Sequence, residues 1–282
     1  MKTIIIPTDF SKNAYSAFFY ATQLFAAEKC KFIIIHSFES QVTNLTSRID
    51  IGKTEAIVTE LYDTTETKCE EIKHKIILDC DNKNHSYDTI ATSLTLSSAI
   101  NKLIVKESGD YVVMGSKGST AARDILMGSN TLSMIQKIKN APLLIIPQEL
   151  DFTPVKHIAF ATGFKRAYSK KELQPLVAIS SLNNADIKVV HVNERENMSE
   201  AQQTNFKQLF KLLKSEKPEN TLLLDEGETF DAISYYLSTE DIDMVSMILY
   251  KHNAIVRLFR EATIKNIARY AEIPFLILPK VD

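Results

Sequence analysis

Glycine is scarce in this chain of 282 residues, which has seven in all, yet Gly115, Gly118 and Gly128 fall within fourteen consecutive positions. They belong to the stretch Asp110–Thr131, D-Y-V-V-M-G-S-K-G-S-T-A-A-R-D-I-L-M-G-S-N-T. Tyr111–Met114 is apolar and β-branched in the manner of a buried strand. A glycine directly after such a strand allows positive φ and lets a ligand approach bare backbone. Gly128-Ser129-Asn130-Thr131 then precedes Leu132–Ile138, which has helical spacing, and Ser, Asn and Thr are the residue types that start helices. Unpaired N–H groups at a helix start, together with the positive end of the helix dipole, attract an anion. The chemistry expected of this stretch is phosphate binding by backbone amides. The plainer alternative is an ordinary βα turn followed by an ordinary helix cap.

Other chemistries find little support in the residue pattern. Neither the Walker A spacing nor the Rossmann glycine spacing is present, and there is no His-Glu-x-x-His or paired-cysteine motif. No Ser/His/Asp or Cys/His set can be paired by motif, so no catalytic and no metal-ligating residue is assigned. Asp79 and Asp81 flank Cys80 in a polar stretch and read as solvated loop residues. Lys117 and Arg123 lie within the phosphate-loop region, either neutralising phosphate or facing solvent.

Composition narrows the class. At 45% hydrophobic and 24% charged, the chain is an ordinary globular protein, long enough for about two domains. A net charge of −2 argues against a general nucleic-acid binder. No apolar run approaches the roughly 18 residues of a membrane span. The chain enters Thr3–Ile6 directly, so no secretory leader is expected. Cys30, Cys69 and Cys80, odd in number and without metal spacing, suggest free thiols and a cytoplasmic location.

The elements that must position the glycine stretch can be traced from the N-terminus. Lys2–Pro7 reads as a first strand, ending in Pro7-Thr8-Asp9-Phe10-Ser11 before a helix to about Ala27. Asp9 suits the cap of that helix or a ligand contact. Phe32–Phe38 is a second strand holding Ser37 and His36, which reads as a strand-end structural residue rather than a ligand, and Glu39–Ile51 a largely polar insertion. A helix over about Thr54–Ile77 has Glu66, Lys68, Glu70, Glu71 and Lys73 on a solvated face. Tyr87–Thr92 is a weak third strand, Ser97–Lys106 a helix, and Ala141–Pro147 a fifth strand stopped by proline.

The pattern then restarts. Lys156–Ala161 matches the first strand at an offset of 154, Ile187–Val192 matches the second with His191 in the place of His36, and Asp243 stands opposite Asp110 at an offset of 133. Glu272–Pro279 repeats the fifth strand. A repeat this long is a duplicated domain rather than a solenoid, with the boundary expected in Gln148–Val155. Strands alternating with helices give parallel sheets, which bind ligands beyond the carboxyl ends of their strands.

The full spacing Gly-x2-Gly-x9-Gly-Ser resembles the nucleotide-binding signature of the universal stress protein family. The resemblance implies two tandem α/β domains, residues 1–148 with the motif intact and 149–282 with it degraded. Each is implied to be a doubly wound parallel five-stranded sheet of strand order 3-2-1-4-5, like the adenine nucleotide alpha hydrolases. It further implies that Gly115, Gly118, Gly128 and Ser129 hold the ribose and phosphates of ATP, possibly with magnesium, and that Asp9 touches the nucleotide. Pro7, Ser37, Met114 and Asn130 complete the expected cofactor-binding set. In the second half Gly163 stands opposite Asp9, and Ile248, Lys251, Glu261 and Ala262 stand opposite the three glycines and the serine. The expectation is therefore an ATP-binding stress-response regulator with nucleotide in its N-terminal domain alone. The alternatives are a slow ATPase and a non-nucleotide interaction scaffold. The apolar Leu143–Ile146 and Phe275–Leu278 are expected to pair as fifth strands in an intrachain pseudo-dimer, with a homodimer and an unknown protein partner as further options.

Overall fold

Ile4, Ile5 and Ile6 are at most 1% exposed, and an apolar run without alternation suits a parallel strand covered on both faces. They lie in β1 (Lys2–Pro7). The computed structural model describes residues 1–46, 51–118, 127–148, 150–193, 198–213, 218–224, 229–248 and 273–279. After β1 come α1 (Lys12–Leu24), β2 (Cys30–Ser37), α2 (Glu39–Thr46), α3 (Ile51–Cys80), β3 (His85–Thr92), α4 (Leu96–Lys106), β4 (Tyr111–Gly115) and α5 (Ser129–Lys137). The series continues with β5 (Leu143–Ile146), β6 (His157–Ala161), α6 (Lys170–Asn183), β7 (Asp186–Asn193) and α7 (Glu200–Leu212). It closes with β8 (Glu219–Leu224), α8 (Thr229–Thr239), β9 (Met244–Ile248) and β10 (Phe275–Leu278). Among the described residues no helix is long and apolar enough to cross a membrane.

The chain divides into two units, Met1–Ala141 and Pro142–Asp282. In the first, parallel strands run in the order β3-β2-β1-β4. In the second the order is β8-β7-β6-β9-β10, again parallel, which is the expected 3-2-1-4-5. The two apolar segments expected to meet do so: β5 pairs antiparallel with β10, Ile145 opposite Phe275 and Leu144 opposite Leu276. That pairing draws β5 into the second unit and makes its sheet mixed. The division accordingly falls ahead of the polar stretch Gln148–Val155.

The repeat read from sequence has a structural counterpart in register. Ile4 pairs with Tyr111 in the first unit and Ile158 with Met244 in the second, positions related by the same offsets of 154 and 133. Asp110 Oδ2 accepts from Thr3 N at 2.8 Å while Asp110 N donates to Thr3 O at 2.8 Å. Asp243 Oδ2 likewise accepts from His157 N at 2.9 Å, and Asp243 N donates to His157 O at 3.0 Å. Each carboxylate locks the start of the first strand against the start of the fourth.

Two local readings change. The polar insertion after β2 holds a helix, α2, whose first turn contains Glu39, a charge that favours a helix N-terminus. Asp79 is not a loop residue but ends α3 together with Cys80, whereas Asp81 lies just beyond the helix as expected. The Tyr15 hydroxyl donates to Asp79, and Cys80 Sγ lies 3.1 Å from Thr22 Oγ1, so the pair anchors α3 to α1. Burial pushes the Cys80 thiol's pKa up, which keeps it protonated.

Candidate functional site: a glycine loop, a helix start and one carboxylate

The turn after β1 is held at four points. Thr8 N donates to Ile35 O at 2.9 Å, extending the β1–β2 pairing by one residue. His36 Nδ1 donates to Thr8 O at 2.7 Å, and the His36 ring lies 4.5 Å from the Phe10 ring. Phe10 N donates to Thr8 Oγ1 at 3.0 Å, and Ser11 N to Asp9 Oδ1 at 3.1 Å. These contacts hold Phe10 at φ 63°, a left-handed conformation costing a non-glycine residue roughly 1–2 kcal/mol. The cap of α1 is Ser11, whose side chain accepts from Ala14 N at 3.2 Å. That removes helix capping as the reason for Asp9.

Asp9 instead turns toward the glycine loop. A Cβ placed on Gly118 would sit 2.8 Å from Asp9 Oδ2, closer than real Cβ contacts allow. A Cβ on Gly128 would lie 3.3 Å from Gly118 N, and one on Gly115 would lie 3.1 Å from Asn13 O at the start of α1. A side chain at Gly115 or Gly128 would thus press on facing backbone, and one at Gly118 on the Asp9 carboxylate. Of the two reasons expected from sequence, positive φ is excluded, because no described glycine has it. Gly128 N donates to Ser116 O at 2.8 Å, and the Thr131 hydroxyl donates to Gly115 O at 3.0 Å, so the loop is tied to the helix start at both ends.

Gly128 is the N-cap of α5, and among the described residues no side-chain cap bond is made there. Ser129 and Asn130, expected as helix starters, are the exposed first two helical residues. The N–H groups of Ser129, Asn130 and Thr131 precede the first bond along the helix, Leu132 N to Gly128 O at 3.0 Å. An uncapped start of this kind carries roughly half a positive charge and donors of fixed direction, and can hold an anion. Asp9, beside it, offers acceptors only and so suits hydroxyl or amine donors.

The remaining sequence candidates take different places. Pro7, buried, closes β1 opposite Ile35. Met114 is buried in β4. The Ser37 hydroxyl donates to Leu94 O at 2.6 Å, tying the end of β2 to the turn before α4. Lys117, next to Gly118, is half-buried; Arg123 lies outside the described residues. Sequence reasoning missed the parts played by Thr8, Phe10 and His36. Burial holds the His36 pKa below its usual value, so its imidazole is neutral near pH 7. It also missed Lys68, exposed on α3, whose ammonium stands 5.7 Å from the centre of the Phe10 ring. The available signal was the repeat itself, since His36 and Phe10 recur as His191 and Phe164.

The second unit shows what that signal meant. His191 Nδ1 donates to Thr162 O at 2.9 Å, its ring lies 4.7 Å from Phe164, and Phe164 has φ 53°. Gly163 stands where Asp9 does, and its carbonyl accepts from Gln202 Nε2 at 2.9 Å. Asn205 Nδ2 donates to Phe164 O at 2.8 Å and Gln208 Nε2 to Tyr168 O at 3.1 Å, so α7 lays three amides along this loop. Ile248, buried, ends β9 at the register position of Gly115. Lys251, Glu261 and Ala262 lie outside the described residues.

Fold and site together define a tandem, doubly wound α/β protein whose first unit gathers an open helix start, a glycine loop and a carboxylate. The universal stress protein family model matches residues 1–147, and the chain belongs to that family. It is similar to universal stress protein Slr1230 of Synechocystis, 26% identical over 98% of this chain and 99% of that protein. It is also similar to universal stress protein MJ0577 of Methanocaldococcus jannaschii, 26% identical over 52% of this chain and 96% of that one. In fold it resembles the crystal structure of a universal stress protein from Archaeoglobus fulgidus. That likeness has a TM-score of 0.67 at 16% identity and covers 99% of this chain and 97% of the other.

Proposed function

We propose that the first unit binds one adenine nucleotide, ATP in the first instance, and acts as a nucleotide-dependent regulatory module. The observation that carries this reading is the approach of the Asp9 carboxylate to Gly118, beside Gly128 and the uncapped start of α5. An anion cradle alone accepts any phosphate. A carboxylate next to it repels phosphate and selects a ligand that also presents donors, as the hydroxyls and amine of a nucleoside do. The family resemblance supplies the adenine. Any magnesium arrives with the phosphates: among the described residues no three His, Cys, Asp or Glu side chains gather, and Mg²⁺ characteristically keeps several waters and few protein ligands.

The second unit keeps the turn and loses the carboxylate, and three α7 amides bond to the carbonyls of the loop that follows. We read it as a unit that does not take nucleotide. Calorimetric titration with ATP tests both statements. The expected stoichiometry is near one per chain. A value near two would refute the reading of the second unit, and a flat titration would refute that of the first. Steady-state ADP release should stay well below the roughly 1–1000 per second of ordinary enzymes, because among its described residues the site offers amide donors and no activated nucleophile.

A further inference from the structure

We propose that His36 is the positioning residue of the nucleotide site, acting through the Thr8 carbonyl to hold the Asp9 carboxylate against Gly118. The inference rests on the nucleotide reading above. His36 sits on β2 and touches the turn twice, through the 2.7 Å bond from Nδ1 to Thr8 O and through ring contact with Phe10 at 4.5 Å. These contacts flank Asp9 on both sides in sequence. The Thr8 carbonyl belongs to the peptide that leads into Asp9, so fixing it sets the plane from which the Asp9 side chain departs. Phe10, held left-handed, redirects the chain so that Ser11 N can reach back to Asp9 Oδ1 at 3.1 Å. The Ser11 bond to Oδ1 thereby leaves Asp9 Oδ2 facing the Gly118 side.

The second unit isolates what the brace does. His191, Thr162 and Phe164 reproduce it with a bond of 2.9 Å and a ring separation of 4.7 Å, yet the residue between is Gly163. The brace therefore holds the turn in both units, and only in the first does the turn carry a group a ligand can meet. Loss of either histidine should loosen its own turn, whereas only loss of His36 should weaken nucleotide binding.

The full chain supplies the test. His36→Leu keeps apolar contact with Phe10 but removes the donor. His36→Asn restores a donor the same number of bonds from the backbone as Nδ1. His191→Leu is the matched control. Calorimetry with ATP should show His36→Leu weakened at least tenfold, His36→Asn near wild type, and His191→Leu unchanged. In an Asp9→Ala background the effect of His36→Leu should vanish, an outcome a merely stabilising role would not give. Hydrogen exchange without ligand should speed up at the Phe10 and Ser11 amides in His36→Leu and at the Phe164 amide in His191→Leu. Equal affinity loss in both leucine variants, or an undiminished His36→Leu effect without Asp9, would overturn the proposal. If wild type takes no ATP, the nucleotide reading has failed, and unchanged exchange at Phe10 and Ser11 in His36→Leu would then sink the positioning claim separately.

Discussion

Thr8-Asp9-Phe10 and Thr162-Gly163-Phe164 are the same turn built twice. Both follow the first strand of a repeat, both place phenylalanine at positive φ, and both are fastened by histidine to the carbonyl of the threonine. They differ in the residue at the centre and in what approaches it. In the first unit the central side chain is a carboxylate directed at a glycine loop. In the second there is no side chain, and an amide of α7 bonds to the central carbonyl. A duplicated scaffold thus separates two demands that sequence alone mixes: residues common to both copies hold the turn, and residues found in one copy are the candidates for its proposed site.

The comparison is broken most forcefully at Gly128. Gly128→Glu copies the residue that the second half carries at Glu261. Gly128 has φ −69° and ψ 159°, which any residue adopts, and a Cβ there would lie 3.3 Å from Gly118 N, so the variant should fold with the loop giving by a few tenths of an ångström. A carboxylate about 4 Å from a bound phosphate costs roughly 4 kcal/mol at an effective dielectric near 20, or about a thousandfold in affinity. ATP titration should therefore fall to the background, with the circular dichroism spectrum unchanged. Wild-type affinity would mean that the helix start is not the phosphate site.

The next largest effect belongs to the second unit. Glu172 is 1% exposed, accepts from Arg166 and from Ser169 N at 2.9 Å, and anchors the start of α6. Arg166→Ala strands this carboxylate. The expected loss is about 3 kcal/mol, the lower end for breaking a buried ion pair, because the Ser169 bonds remain. Urea unfolding should show the loss while ATP affinity stays put. Weakened ATP binding would join the two units' functions in a way the comparison denies.

Asp9→Asn sharpens the contrast at the centre of the turn. Asparagine keeps an acceptor but gives up the charge, and bonds to charged groups are worth roughly 1 kcal/mol more than neutral ones. Affinity for ATP should fall by about fivefold. Because Ser11, not Asp9, caps α1, stability should shift by no more than about 0.5 kcal/mol, which is usual away from special features. A larger stability change with unaltered affinity would return Asp9 to a structural role.

Much of this was legible in the sequence, for reasons that particular residues show. The apolar runs at Ile4–Ile6 and Leu143–Ile146 are short and unalternating, as strands buried on both faces are, and the paired aspartates Asp110 and Asp243 marked the register of the repeat. The glycine spacing pointed to the loop but gave the wrong cause. Composition cannot tell whether a glycine is needed for φ or for room, and here the segments facing Gly115, Gly118 and Gly128 decide for room. Asp9 and Ser11 are both good caps, and only the path of the turn assigns that role to Ser11. Neither α2 nor the anchoring of Asp79 and Cys80 could be read from polarity, because a polar face says nothing of the element beneath it. His36 looked like a strand-end residue because its partner, a backbone carbonyl, leaves no mark in the sequence.

The narrowest contrast, a difference of about 1 kcal/mol, concerns the two caps themselves. Ser11 Oγ accepts from Ala14 N at 3.2 Å, a simple cap. Ser169 Oγ accepts from Glu172 N at 3.2 Å while the Glu172 carboxylate returns to Ser169 N at 2.9 Å, a reciprocal capping box. Removing an N-cap hydroxyl costs about 1 kcal/mol, and Ser11→Ala should cost that much. Ser169→Ala should cost about 2 kcal/mol, because the same hydroxyl also donates to the buried Glu172 at 3.1 Å, and a hydrogen bond to a buried charge is worth more than one to a neutral group. Paired urea titrations of the two variants measure the difference directly. Equal losses would mean that the Glu172 carboxylate is satisfied without the hydroxyl, leaving Arg166 and the Ser169 N–H to hold it. In that case the larger loss expected for Arg166→Ala should grow, since more of the carboxylate's support would then reside in that one ion pair.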